Sequence, residues 1–366
     1  MAKIYERIAR LLNKMTGLHF IIRLILATIV VGCLSPLDRF SDYTGGELVV
    51  SGQISSIPET NIVYVARTSD SERLPEPLSG AEVLLYEDGA LVQTYIEDFE
   101  VPGKYVLPGF AGFPGRTYHI DIILPGGQTF TSAPERMPEV IGKDEISHTI
   151  EPREFIDGDG TLSERFFVNI FNTHSLPSSS QNVFLKWHVE EVYALTPTDF
   201  PDPFNDVPPT CYIAQSVDPQ RIVLFSSETS TATSIPDLPL VSRQIDPSFK
   251  ERHYFTTYQS SMTREAYDYW KKVDVVANQN GSIFDTPPAR IQGNIKSVAD
   301  ADITVHGYFQ AVNQRMNRFY LLPDDLPFRL TEHCEYRAER DFLDYPRECL
   351  DCLSARNSSH NRPSWF

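Results

Sequence analysis

The sequence has no Gly-x-Ser-x-Gly elbow, no His-Glu-x-x-His pair, no phosphate-cradling Gly-x-x-x-x-Gly-Lys and no Gly-x-Gly-x-x-Gly. Those absences remove the usual sequence routes to acyl transfer, zinc-assisted hydrolysis and nucleotide binding. Basic charge is also short: 32 Lys and Arg stand against 49 Asp and Glu, a net charge of −17. That balance excludes nucleic-acid binding through phosphate contacts and attachment to an anionic membrane surface by charge. The apolar run Leu24–Gly32 covers nine residues, against about 20 for a transmembrane helix. Dense Asp-x-Asp-x-Asp-Gly loops are missing too. Asp157-Gly158-Asp159-Gly160 comes nearest, but Leu162 stands where a calcium loop needs Gly and Val168 where it needs Glu. The segment therefore reads as a turn.

What is present begins with Val30-Val31-Gly32-Cys33, which closes the apolar run after the bases Lys14 and Arg23. This is the layout of a bacterial lipoprotein signal. Val30, Val31 and Gly32 would be read by the signal peptidase, and Cys33 would take the lipid. Each buried CH₂ of an acyl chain adds ~0.8 kcal/mol of membrane binding. An anchor helix and a buried core segment are the competing readings. Met15 begins a signal of ordinary length, while Met1 gives a long basic segment. Residues 1–32 are expected to be a signal peptide and 33–46 a tether. Removing the signal leaves 334 residues with net charge −21, a length that suggests two domains.

Cysteine is scarce, at five residues. With Cys33 lipidated, Cys211, Cys334, Cys349 and Cys352 form an even set, expected in an exported protein to make two disulfides in one of three pairings. Two alternatives stay open: a redox pair at Cys349-Leu-Asp-Cys352, and zinc held by Cys334, Cys349 and Cys352 with His333 or His360.

The body alternates at period two, the mark of half-buried strands. Strands are expected at Glu47–Ile54, Asn61–Thr68, Ala81–Tyr86, Leu91–Ile96, Gly103–Pro108, Tyr118–Leu124 and Gln128–Ser132. Glu87-Asp88-Gly89-Ala90 is a hairpin signal. Seven short strands at this spacing predict an Ig-like β-sandwich over 47–138. A larger β-rich domain over 139–345 follows, with strands at Arg165–Phe171, Val183–Tyr193, Arg221–Ser226, His253–Ser260 and within Thr304–Leu322. Between them lies the Pro- and Asp-rich loop Thr196–Pro209. Ala266, Trp270, Val273 and Ala277 recur at helical spacing, so one amphipathic helix is expected at about 262–277. Ser261 could cap it and Gly281 follows its end. Residues 346–366 form a Cys-containing tail. The fold class is thus mainly β, an N-terminal sandwich followed by a β-rich domain with one helix.

His119, His188 and His253 fall in strand patterns, where a satisfied histidine is expected. Neighbouring acids such as Glu190-Glu191 point to opposite faces of a strand, and Asp324-Asp325 is equally unsuited to acid–base work. No arrangement suggests catalysis, and no metal or cofactor is expected beyond the covalent lipid.

Pro77-Leu78-Ser79-Gly80-Ala81-Glu82-Val83, Gly103-Lys104-Tyr105 and Pro114-Gly115-Arg116-Thr117-Tyr118 resemble strand motifs of carboxypeptidase-regulatory-like domains, small β-sandwiches without catalytic residues. A longer match follows. Glu265–Trp270, then Gly281-Ser282-Ile283-Phe284-Asp285-Thr286-Pro287-Pro288-Ala289, then Ile291-Gln292-Gly293-Asn294-Ile295, then Val305-His306-Gly307-Tyr308-Phe309-Gln310-Ala311 resemble, in this order, a family known as domain of unknown function 4249, from Bacteroidota. The signature reads as scaffold: Gly281, Gly293 and Gly307 suit turns or bulges, Pro287-Pro288 stiffens a connection, and Trp270 and Phe284 suit core anchors.

The resemblance implies an outer-membrane lipoprotein whose partner is a β-barrel, a TonB-dependent transporter of the SusC type. Cell-surface display is expected. Only Asp38 among Leu34–Arg39 supplies the acids usual after a surface-exported Cys, so a periplasmic face is the alternative. The function expected is that of a non-enzymatic accessory or binding lipoprotein. The alternatives are a structural or assembly factor of the envelope, and an enzyme acting on glycans or peptides.

Overall fold

A two-residue hairpin, long antiparallel arms and one crossing strand organise the chain. The computed structural model describes residues 46–69, 75–139, 142–176, 182–200, 208–229, 232–278, 291–330 and 334–366. Residues Gly46–Phe366 form one compact unit, and it is mainly β. Among the described residues no helix is long and apolar enough to cross a membrane.

The first strands are β1 (Leu48–Ser55), β2 (Ile62–Arg67), β3 (Glu76–Pro77), β4 (Glu82–Glu87), β5 (Ala90–Glu97), β6 (Lys104–Val106), β7 (Thr117–Ile123), β8 (Thr129–Ser132) and β9 (Glu135–Arg136). The hairpin signal between β4 and β5 is a two-residue turn. Asp88 and Gly89 both take positive φ, 49° and 84°, which matches the twist of the flanking strands. Strict alternation in β7 buries Tyr118, Ile120 and Ile122. They pack against Val50, Ile54, Val63 and Val65 of β1 and β2 in one sandwich-like core.

The middle of the chain supplies β10 (Lys143–Ile156), β11 (Leu162–Ser175), β12 (Phe184–Leu195), β13 (Cys211–Ser216), β14 (Val223–Ser226), β15 (Ser234–Gln244) and β16 (His253–Met262). β10 pairs with β11 along its whole length, closed by the turn at Asp157–Gly160, where Gly160 N–H donates to the Asp157 carbonyl at 2.8 Å. β10, β11 and β15 form one sheet. Its Val168, Ile170 and Leu240 pack against Leu185, Trp187 and Phe255 of the sheet holding β12 and β16. Asp144 sits enclosed between these sheets. It accepts from His174 Nδ1 (2.7 Å), Asn172 Nδ2 (2.9 Å) and Trp187 Nε1 (3.2 Å), which together offset the cost of burying a carboxylate.

Helix α1 (Arg264–Ala277) follows β16, and the Thr263 side chain, not that of Ser261, caps it by accepting from Ala266 N–H. Ser261 is unavailable because β16 runs on through Met262, which pairs with Phe184. Then come β17 (Ile295–Ser297), β18 (Val305–His306), β19 (Phe309–Leu321), the single turn α2 (Arg347–Leu350) and β20 (Ser358–Ser359). β19 joins the two cores. Phe309–Val312 pair in parallel with β1, and Asn313–Leu321 pair antiparallel with β16. β17 pairs with β8, so strands from late in the chain complete the N-terminal core.

Candidate functional site

The signature residues meet where α1, β1 and β19 come together. Trp270, on α1, donates its indole N–H to Gln310 Oε1 at 2.7 Å, and Gln310 donates onward to Gln53 Oε1 at 3.0 Å. Lys186 Nζ lies 3.5 Å above the Trp270 ring, a cation–π contact, and desolvation brings its amine down to about 7. Tyr308 donates its hydroxyl to Glu135, as does Thr263. Glu135 is 4% exposed. Burial pushes its carboxyl up to about 7, although both hydroxyls pull the other way. Asn294 clamps one residue by both backbone groups, accepting from Phe309 N–H at 2.9 Å and donating to its carbonyl at 2.7 Å.

The two glycines are there for space. A Cβ at Gly293 would lie 1.6 Å from the Gly307 carbonyl oxygen, and a Cβ at Gly307 would lie 1.9 Å from that of Val50. Gly307 also takes φ +94°, where side chains are strained. Trp270, Gly293, Asn294, Gly307 and Tyr308 thus build one junction of interlocked backbone and satisfied polar groups. Gly281, Ser282, Ile283 and Phe284 lie outside the described residues, as do Val30, Val31, Gly32 and Cys33.

The family profile described as Domain of unknown function (DUF4249) matches residues 36–318. The chain belongs to that family. A search of curated proteins finds no match. The DUF4249 span ends inside β19, so the cysteine-bearing tail lies beyond it.

That tail is bonded to the body. Cys211 joins Cys352 and Cys334 joins Cys349, with Cα separations of 5.7 and 5.1 Å. Cys349 and Cys352 therefore bond to different partners, which replaces both the redox pair and the zinc set by structural bridges. β20 adds to β13, and Arg318 packs 3.5 Å over the Trp365 ring.

Between the tail and the body is an open cleft of about 970 Å³, at the upper end for small-ligand sites. Its walls are the end of β12, the 3₁₀ turn Pro247–Lys250 and the segment around the Cys334–Cys349 bond. A buried ionic network supports this floor. Glu191, 1% exposed at its side chain, accepts from His253 Nε2 (3.0 Å), Arg243 Nε (2.8 Å) and Gln215 Nε2 (2.7 Å). Burial alone would raise the Glu191 carboxyl, but the His253 bond, the Arg243 charge and the Gln215 bond bring it down to about 2. Arg243 reaches on to Asp246 at 2.9 Å. Tyr193, stacked on His253, is pushed up to about 12 by its own burial and then by the Glu191 charge.

Glu191, His253 and Ser248 have the residue types of a catalytic triad, with Ser248 Oγ 3.5 Å from His253 Nδ1. The hydroxyl proton is committed elsewhere, however, because Ser248 Oγ donates to Asp246 Oδ1 at 2.5 Å. His253 itself is enclosed between Phe249 and Tyr193. The row holds the cleft floor in place rather than presenting a nucleophile.

Alternation places Glu191 and His253 in strands and predicts a satisfied His253, which its 3.0 Å bond to Glu191 bears out. Glu135 and Lys186 were not singled out at all. One signal existed for Lys186: Phe184, two residues earlier on the same face of β12, marks that face as covered.

Proposed function

We propose that the chain is a non-enzymatic lipoprotein of the outer membrane, held by lipid on Cys33, that serves as an accessory or binding partner of a TonB-dependent, SusC-like barrel. The observation that carries this reading is the layout Lys14, Arg23, Leu24–Gly32, Cys33. The first core strand begins 15 residues after Cys33, a tether that can reach about 50 Å when extended. Two features support a binding rather than a catalytic role. The family signature builds a closed junction, and the ionic row beneath the cleft spends its polar groups on each other. With the signal removed, a net charge of −21 would leave attachment to the acyl chains and the partner.

Metabolic labelling with a fatty-acid analogue, compared with Cys33→Ser, tests the anchor. The wild-type chain is expected in the membrane fraction with label, and the variant without it. Affinity purification of the lipidated chain in mild detergent is expected to recover an outer-membrane β-barrel. Labelling that survives Cys33→Ser overturns the anchor. Recovery of assembly-machinery proteins in place of a transporter overturns the partner.

A further inference from the structure

The loop that joins β5 to β6, residues 98–103, presents a fully exposed Phe99 and an exposed Val101. We propose that this loop, with the outer face of the sheet beside it, docks on a neutral lipid bilayer, the one that holds Cys33. The docking rests on the anchor reading above. Val65 of β2, Tyr95 of β5 and Tyr105 of β6 are buried in the core, so their neighbours Tyr64, Ile96 and Val106 point outward. Pairing sets Ile62, Val106 and Ile96 in one row across three strands, and Tyr64 stands two residues nearer the loop, opposite Lys104. Tyr64 and Ile96 are half-exposed. A contiguous apolar surface of this kind marks contact with lipid or with protein.

The loop is fixed before it meets anything. Glu97 accepts from Gly80 N–H at 2.9 Å and from Gly103 N–H at 3.1 Å. Asp98 accepts from Glu100 N–H at 2.9 Å and from Lys104 Nζ at 2.8 Å. Asp98 N–H donates to the Lys104 carbonyl at 2.7 Å, and Lys104 N–H to that of Val101 at 3.1 Å. An ordered loop that exposes an aromatic ring can bury it at little further ordering cost. Lys104 is spent on Asp98, so it is not free to hold an anionic headgroup, and the fitting lipid is neutral.

The tether selects lipid as the occupant. Leu48, where β1 starts, pairs with Arg67 at the end of β2, and the Gly103 carbonyl accepts from Val65 N–H at 2.8 Å. The loop therefore lies at the end of the sheet where the chain arrives from Cys33. Strand and residue spacings put it roughly 20 Å from Gly46. Twelve residues, 34–45, separate Cys33 from Gly46, so Gly46 stays within about 45 Å of the anchor. An aromatic ring with aliphatic neighbours suits the boundary between headgroups and acyl chains, and Tyr64 can keep its hydroxyl in water there. The exposed Phe113 is at the opposite end, where Gly112 N–H donates to the Ser55 carbonyl at 2.8 Å.

Phe99→Trp and Phe113→Trp place an indole at either end of the sheet, each read as the difference from the wild type with its three tryptophans. The full chain, purified from membranes in each form, is reconstituted into phosphatidylcholine vesicles with and without bromine on the upper acyl chains. The indole of Phe99→Trp is expected to shift to the blue and to lose at least about half its emission to the brominated lipid, and that of Phe113→Trp to lose little. Quenching decides the docking, and fatty-acid label on Cys33 in the same sample decides the anchor. Label without quenching of Phe99→Trp overturns the docking alone, quenching without label overturns the anchor alone, and neither signal overturns both. Equal quenching of the two variants also overturns the docking. So does a blue shift of Phe99→Trp that brominated lipid does not quench. Where that shift grows with chain concentration in detergent, the face belongs to a second copy; where it needs a co-purified barrel, it belongs to that barrel.

Discussion

The two disulfides differ in the length of chain they close, and that difference sets an ordering of stability. Cys211–Cys352 spans 141 residues and Cys334–Cys349 spans 15. Cross-linking removes loop-closure entropy from the unfolded chain in proportion to the logarithm of loop length. At 25 °C that comes to about 5 kcal/mol for the long loop and about 3 kcal/mol for the short one. The loops are nested, since residues 334 and 349 lie inside 211–352. Bypassing the short loop trims the long one by roughly a tenth, which changes its contribution by only about 0.1 kcal/mol. Replacing each pair with alanines makes the same side-chain change twice, so packing losses are similar and the entropic difference of about 2 kcal/mol remains. Guanidinium denaturation followed by tryptophan fluorescence reads this directly. Of the three tryptophans Trp187 is in the core, Trp270 at the junction and Trp365 in the tail, so the summed signal reports global unfolding and its difference from that of Trp365→Phe reports detachment of the tail. Cys211→Ala with Cys352→Ala is expected to lower stability more than Cys334→Ala with Cys349→Ala. Equal losses, or the reverse order, would refute the chain-entropy argument for this protein.

Two further outcomes follow from the junction. Glu135 has its folded carboxyl raised from 4.5 to about 7 by burial, so it contributes stability that is present below pH 4.5 and is lost as the pH rises through 7. Wild type is expected to lose about 3 kcal/mol from this group between those limits. Glu135→Gln should flatten that part of a urea-denaturation profile taken from pH 5 to 8, and parallel profiles for the two proteins would disprove the assignment. Gly293→Ala puts a Cβ 1.6 Å from the Gly307 oxygen, whereas a Cβ at Gly126 meets nothing within 4 Å. The first substitution is expected to cost at least about 4 kcal/mol and the second less than about 1 kcal/mol, measured as shifts in the denaturation midpoint.

Strands with one apolar face were legible because alternation is a local signal. Thr117–Ile123 and Phe184–Leu195 each contain the pattern that buries every second residue. β10 was not legible for the opposite reason. Its sequence, KDEISHTIEPREFI, is largely exposed and carries Pro152, so neither periodicity nor propensity marks it. It is a strand because β11 pairs with all 14 of its residues, and among the described residues it has no second neighbour. Pro152 is tolerated on such an edge. β15, with Pro236 and Pro239, lacks a local strand signal for the same reason and meets β11 through two register shifts.

The polar clusters were hidden by distance along the chain. Glu135 stands 128 residues before Thr263 and 173 before Tyr308. Glu191 finds His253 and Arg243 from 62 and 52 residues away. The residues next to a carboxylate in sequence carry no mark of which hydroxyl or imidazole will satisfy it: Glu135 is followed by Arg136 and Glu191 is preceded by Glu190. Only the parallel pairing of β1 with β19, which brings Gly52 beside Phe309, aligns Gln53, Gln310 and Trp270 in one relay. Gly293 and Gly307 are the local trace of that event, because two backbones can cross at contact only where no Cβ intervenes. The signature is therefore readable from the sequence as glycines that need room. What they need it for is set by β1, some 240 residues earlier in the chain, while the burial that raises Glu135 and lowers Lys186 comes with the packing of Tyr308 and Thr263 against the one and of Trp270 against the other.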